Sequence, residues 1–187
     1  MDSKQAWQVY ERSSCLVDEA QLSEAMDAMA QKITSELADK NPLVLCVMRG
    51  GLIFSAQMAL RLQFPLDIDY IHVSRYHGQT SGGEHLHWYH APKLEDLKDR
   101  TVLLLDDILD KGITLQEVSY YCQEHGAAQV YSGVMLDKKV TRAEGGMAKA
   151  NFSALEIEDH FVFGYGLDYH HYLRNVPGIY VVAPEDM

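Results

Sequence analysis

The sequence predicts an α/β fold with a mostly parallel central sheet flanked by helices. Three observations predict it. Residues 43–48 (LVLCVM) and 101–105 (TVLLL) are continuously apolar over the length of a strand, the pattern of strands buried on both faces. Each run is followed by a short glycine-containing turn and then by apolar residues at helical spacing. Strand-like and helix-like stretches alternate along the chain, the order in which βα units are written.

Asp18, with Gln21 three residues on, reads as a helix N-cap with its capping-box partner. Leu22, Ala25, Met26, Met29, Ile33 and Leu37 then recur at helical spacing, so a helix is expected over about residues 18–39 and Asn41-Pro42 ends it. The strand 43–48 stops at Arg49-Gly50-Gly51, and a second helix is expected over about 52–62. Residues 66–73 alternate as a second strand. Residues 74–92 carry Gly, Ser, Thr and His with little periodicity and are expected to form a long loop, a feature that in compact domains is usually functional. The strand 101–105 ends on Asp106-Asp107, Leu115, Val118 and Cys122 mark a third helix, and Gly126 caps it. Further strands are expected over 129–136, 161–163 and 179–183. No internal repeat or low-complexity tract interrupts the 187 residues, a length suited to one compact domain.

Composition narrows the function. Sixteen Lys and Arg against 27 Asp and Glu give a net charge of −11, a field that repels phosphate backbones and anionic membranes. Neither nucleic acid nor membrane is therefore expected as a partner. No apolar run approaches the roughly 20 residues of a membrane span, and the first residues, MDSKQAWQVYERSS, hold no apolar signal core. Cys15, Cys46 and Cys122 show no CxxC spacing and read as reduced thiols. A cytoplasmic location is expected.

The chemistry concentrates in residues 106–114 (DDILDKGIT). In open α/β sheets, ligands bind beyond the carboxyl ends of strands. Here a strand delivers Asp106 and Asp107, then Asp110, Gly112 and Thr114, and then a helix. A turn into a helix N-terminus offers unpaired N–H groups and a positive dipole end, which suit a phosphate. Gly112 permits a positive φ or a close backbone approach, and the Thr114 hydroxyl adds a donor. Three carboxylates beside an anion cradle make sense if they hold sugar hydroxyls or Mg²⁺ while the amides hold the phosphate. A phosphorylated sugar with a metal satisfies both halves. A Walker-type loop is excluded, since no GxxxxGK[ST] occurs. His77, His85, His87 and His90 match no zinc spacing.

The segment VLLLDDILDKGITL resembles the phosphoribosyl pyrophosphate (PRPP) signature of type I phosphoribosyltransferases. Residues 43–51, 135–138 (MLDK) and 161–169 (FVFGYGLDY), followed by Arg174, extend the resemblance to the hypoxanthine-guanine branch, in order, over about residues 43–183. Singly, Phe161 and Val162 read as core, and Lys138, Asp168 and Arg174 as solvated surface charges. The linked pattern changes that reading.

The resemblance implies the type I phosphoribosyltransferase fold: a single domain with its core at about residues 40–140, and a small hood from the N-terminal segment and about 141–187. It implies Mg²⁺ as cofactor, PRPP and a 6-oxopurine base as substrates, and a homodimer or homotetramer. Asp106 and Asp107 would hold the ribose hydroxyls, directly or through metal, and Asp110 would be the acid or base at the purine N7. Lys111, Gly112, Ile113 and Thr114 would bind the 5′-phosphate. Arg49, Gly50 and Arg174 would face the pyrophosphate, the peptide at Arg49 being an unusual one. Lys138 would hold the base O6, Phe161 would stack on the base, Val162 would read its edge, and Asp168 would help hold a second Mg²⁺. Position 111 is Lys where the family commonly has Thr, and position 113 is Ile rather than Lys; Arg75 or Tyr76 would be the lid contact. Two alternatives stand beside this reading: a xanthine-preferring enzyme, and a PRPP-sensing regulator that binds nucleic acid. The net charge of −11 counts against the second.

Overall fold

The computed structural model describes residues 1–75 and 86–187, with Arg75 described by its backbone alone. Tyr76 and the side chain of Arg75, named from the sequence as lid contacts, lie outside the described residues, as do His77 and His85.

The capping signal at Asp18 forms as the sequence predicts. Its Oδ1 accepts from the Gln21 N–H at 2.9 Å, and the Asp18 N–H donates to Gln21 Oε1 at 3.0 Å. Helix α2 (Glu19–Leu37) follows and buries Leu22, Met26, Met29, Ile33 and Leu37 along one stripe. An earlier helix, α1 (Ser3–Arg12), is started by the same device, Asp2 with Gln5. Replacing Asp18 by Ala leaves the Gln21 N–H without its side-chain acceptor, while the N–H of residue 18 keeps Gln21 Oε1. The replacement should lower unfolding stability by about 1 kcal/mol, read as a shifted urea midpoint at unchanged slope.

Among the described residues the main sheet has six strands. They are β2 (Leu43–Met48), β3 (Asp67–Arg75), β4 (Leu86–His90), β5 (Thr101–Leu109), β6 (Gln129–Lys138) and β7 (Phe152–Ile157), in the spatial order β4-β3-β2-β5-β6-β7. All neighbours are parallel except the β3–β4 pair. Alternate residues of β2 and β5 feed two cores. Val44, Leu103 and Leu105 pack with α2 and with α3 (Leu52–Arg61). Leu43, Leu45, Val102 and Leu104 pack with α5 (Ile113–Glu124), through Leu115, Val118 and Cys122. Burial on both faces is why these strands read as unbroken apolar runs.

Connectivity positions the site. From β2 the chain moves outward through α3 to β3. The later strands β5, β6 and β7 build on the other side of β2. The direction of winding therefore reverses between β2 and β5, and such a switch point opens a crevice at the strands' carboxyl ends. The β2–β5 pairing stops at Cys46–Leu105, whereas β5 runs on beside β6 to Leu109–Asp137. Asp106 is thus the first β5 residue without β2 alongside.

Several expectations change. Asp106 and Asp107 lie within β5, because β6 continues to supply backbone partners beyond Leu105. The expected loop over 74–92 contains β4, whose alternating exposure (Leu86, Trp88 and His90 half-buried, His87 and Tyr89 exposed) follows from pairing along one edge of β3. A short helix α4 (Leu94–Leu97) precedes β5. Residues 152–157 form β7 against β6, extending the main sheet beyond residue 140. A second, antiparallel sheet joins β1 (Ser14–Val17), β9 (Ile179–Val181) and β8 (Val162–Phe163) in that order. It packs with α1 through Ala6, Val9, Phe163, Tyr169, Leu173 and Val182.

Candidate active site

The crevice at the switch point holds a cavity of about 340 Å³. Its wall brings together Gly50 after β2, Asp106, Asp107 and Asp110 from β5 and its turn, Gly112 and Thr114 at the start of α5, and Asp168 and Arg174 from the C-terminal segment. These residues are far apart in sequence, and all were named from it.

Close backbone approach explains the glycines. A Cβ on Gly50 would overlap the Asp107 carboxylate. Gly112 is the N-cap of α5 with φ 83° and ψ −6°, a left-handed conformation that L side chains rarely adopt. A Cβ there would also lie 2.7 Å from the Met147 backbone N. The peptide bond between Met48 and Arg49 is cis.

Asp106 is buried and Asp107 half-buried, and the Asp107 N–H donates to Asp106 Oδ1 at 2.9 Å. Burial holds the Asp107 carboxyl above the ordinary carboxylate range; hydrogen bonds from its neighbours and the charge of Arg174 oppose that shift. Across the cavity, Arg174 Nη2 pairs with Asp168 Oδ1 at 2.6 Å, and Arg174 Nη1 donates to the Gly166 carbonyl at 2.6 Å. Asp168 Oδ2 also accepts from the His171 N–H at 2.8 Å. Acid and guanidinium hold each other in place.

The remaining predicted residues that the structure describes do not line this cavity. Arg49 is exposed beside it. Lys111 and Ile113 belong to the turn and the first residue of α5 but do not line it. Lys138, at the end of β6, has a side chain only 12% exposed and pairs with Asp159 Oδ1 at 2.8 Å. That pairing holds the Asp159 carboxyl below its usual range. Phe161 is 51% exposed, with its ring edge-on to Tyr169 at a centroid distance of 5.9 Å. Val162 is buried and pairs with Val181.

Two residues escape the sequence reading. Asp159 neutralises Lys138 from a loop. Arg142, half-buried in the turn after β6, forms an ion pair with Asp137 and hydrogen-bonds to main-chain carbonyls of the 109–110 turn. The only sequence signal for either is a charge close to a site segment, and many solvated charges share it.

The carboxylate oxygens of Asp106, Asp107 and Asp168 are hard donors. Among the described residues they form no dense cage of three acids, Cys or His. Such a set fits Mg²⁺ shared between one or two carboxylates, substrate phosphates and water.

Comparison with known proteins agrees with this geometry. A phosphoribosyl transferase domain model matches residues 15–170. A hypoxanthine-guanine phosphoribosyltransferase of Streptococcus pneumoniae is 32% identical, covering 91% of this chain and 93% of the relative. One from Lactococcus lactis is 35% identical, with 91% of each chain covered. Among solved structures, a hypoxanthine phosphoribosyltransferase from Staphylococcus aureus superposes with a TM-score of 0.84 at 26% identity over 99% of this chain and 97% of that one. A Trypanosoma cruzi hypoxanthine phosphoribosyltransferase in complex with the product IMP gives 0.83 at 28% identity, covering 93% and 95%. With the family model spanning most of the chain and relatives matched nearly end to end, this protein belongs to the phosphoribosyltransferases, in the hypoxanthine-guanine phosphoribosyltransferase family.

Proposed function

We propose that the cavity at the β2–β5 switch point transfers the 5-phosphoribosyl group of PRPP to hypoxanthine or guanine, giving IMP or GMP and pyrophosphate. The observation that carries this reading is the meeting of three carboxylates (Asp106, Asp107, Asp110) with the Gly112 helix start in one cavity. That pairing of hydroxyl or metal ligands with a phosphate cradle suits a sugar phosphate.

In this reading N9 of the base displaces pyrophosphate from C1 of the ribose with inversion. Bond breaking runs ahead of bond making, so positive charge develops on the sugar. Asp106 and Asp107 hold the ribose hydroxyls and stabilise that charge from beneath. Asp110 takes the proton from N7 of the base as N9 attacks. The amides of 111–114 hold the 5′-phosphate, while Arg49, the Gly50 backbone and Arg174 face the pyrophosphate. Asp106, Asp107 and Asp168 are the residues that would hold Mg²⁺, which when bound offsets the charge of the leaving pyrophosphate. Lys138 gives one of its three N–H donors to Asp159, leaving two for a base O6. Phe161 offers an exposed ring face for stacking, and Val162 a backbone edge. PRPP and the base are the only partners this chemistry requires; a homodimer or homotetramer remains part of the proposal. Among the described residues no helix is long and apolar enough to cross a membrane.

Turnover with PRPP and Mg²⁺ on hypoxanthine, guanine, xanthine and adenine tests this. Hypoxanthine and guanine should be used, adenine should be at least about 10²-fold poorer because it cannot accept from Lys138, and EDTA should abolish turnover. Strong adenine use would remove the lysine–O6 reading. In the same assay Lys138→Met should raise KM for hypoxanthine about tenfold or more with a smaller change in KM for PRPP, since a charged hydrogen bond to the base is lost.

A further inference from the structure

Four consecutive carbonyls, from Leu109 to Gly112, are all held by one short segment on the outer side of the turn. Arg142 Nη1 donates to the Leu109 carbonyl at 2.9 Å and to the Asp110 carbonyl at 2.6 Å. The Ala143 N–H donates to the Lys111 carbonyl at 3.0 Å. The Gly112 carbonyl accepts from the Met147 N–H at 3.0 Å and from the Gln116 N–H at 3.1 Å. In a trans peptide the carbonyl of one residue and the N–H of the next point in opposite directions, and the only cis bond among the described residues is at Met48–Arg49. Fixing carbonyls 109–112 against residues 142–147 therefore turns the N–H groups of residues 110–113 the other way, toward the cavity.

Arg142 is itself held. Its Nη2 pairs with Asp137, Nη1 also reaches the Lys138 carbonyl at 2.9 Å, and Nε donates to Ala148 at 3.3 Å. Its side chain is 16% exposed and that of Asp137 is 12% exposed. A planar guanidinium with five fixed donors is suited to holding several carbonyls at set angles, which an ammonium is not. Gly146 completes the wall: a Cβ on it would run into the Lys111 carbonyl. Asp137, Arg142 and residues 143–148 do not line the cavity, so they hold the turn from its reverse side.

We propose that Arg142, with the 142–147 turn, is a positioning residue that pre-organises the amide cradle for the 5′-phosphate by holding the carbonyls on its reverse side. This rests on the phosphoribosyl reading of the cavity. It adds that phosphate affinity is set from behind, by a residue that never meets the phosphate. With the cradle pre-formed, binding does not have to reorganise four peptides. Because Arg142 also holds the Lys138 carbonyl, the end of the base-side strand is referenced to the same guanidinium.

The test is calorimetric titration of two probes, ribose 5-phosphate and magnesium pyrophosphate, against the wild type, Arg142→Met, Arg142→Lys and Gly146→Ala. Ribose 5-phosphate occupies the cradle, and pyrophosphate the opposite side near Gly50 and Arg174. Arg142→Met should weaken ribose 5-phosphate about tenfold or more, the cost of one charge-assisted network, and pyrophosphate by less than about threefold. Arg142→Lys keeps the charge without the fork and should stay as weak as Met. Gly146→Ala displaces the same wall with no change of charge and should reproduce the selective loss; if Arg142→Met does not fold, it carries the test alone. Equal losses for the two probes, no loss, or full recovery with Lys would each overturn the proposal. A wild type that binds pyrophosphate but not ribose 5-phosphate would instead remove the phosphoribosyl reading beneath it.

Discussion

Asp110→Asn should lower kcat about 10²- to 10⁴-fold, the range contributed by a positioned general acid or base, while KM for PRPP changes by less than about threefold. Asparagine keeps the size and the hydrogen-bonding oxygen of the side chain but cannot take up a proton. The backbone at this position is held by Arg142 through the Asp110 carbonyl at 2.6 Å, so the exchange leaves the turn in place. Asp110 also stands apart from the Asp106–Asp107 pair, three residues along the turn, and so is not needed for the ribose hydroxyls in this reading. The effect should therefore fall on the chemical step. Pre-steady-state measurement of IMP formation checks it, because slow product release can hide a chemical defect in kcat. Unchanged single-turnover rates would take the proton-transfer role away from Asp110. A parallel rise in KM for PRPP would assign it to donor binding.

The parts of the molecule that the sequence makes legible are those whose chemistry is local. Val44, Leu103 and their neighbours announce a strand buried on both faces because every side chain meets a core. Asp18 and Gln21 announce a helix start because both cap bonds close within four residues. The acids and Gly112 announce an anion-and-metal site because strand, turn and helix follow one another there without interruption. Strands β4 and β7 are not legible in this way. β4 (LHWYH) is an edge strand whose polar aromatics face solvent. β7 (FSALEI) is an outer strand with mixed, half-buried residues, defined by its pairing with β6. Lys138 and Phe161 carry no local signal at all, and only the resemblance of linked motifs singles them out. Arg142 has neither local pattern nor motif. Its importance arises from where four carbonyls point, and that is fixed only once β5, β6 and the 142–147 turn have packed together.

Gly112→Ala should cost heavily, since its methyl is driven into the 142–147 segment that holds the turn. Two penalties combine. An L-residue held at φ 83° is strained, by about 1–2 kcal/mol. The new Cβ would also sit 2.7 Å from the Met147 N, the very N–H that holds the Gly112 carbonyl at 3.0 Å. Backbone cannot yield as the tip of a flexible side chain can, so the turn must move off residues 142–147. When it does, the carbonyls of 109–112 lose their common wall and the amides of 110–113 lose their shared direction. KM for PRPP should rise about 10²-fold, corresponding to roughly 2.7 kcal/mol, and the urea midpoint should fall. Affinity for free hypoxanthine, measured by equilibrium dialysis, should change far less, because Lys138 and Phe161 lie outside the turn. A Gly112→Ala protein with wild-type KM for PRPP would show that the left-handed turn is not what holds the 5′-phosphate. It would move the phosphate site away from the start of α5.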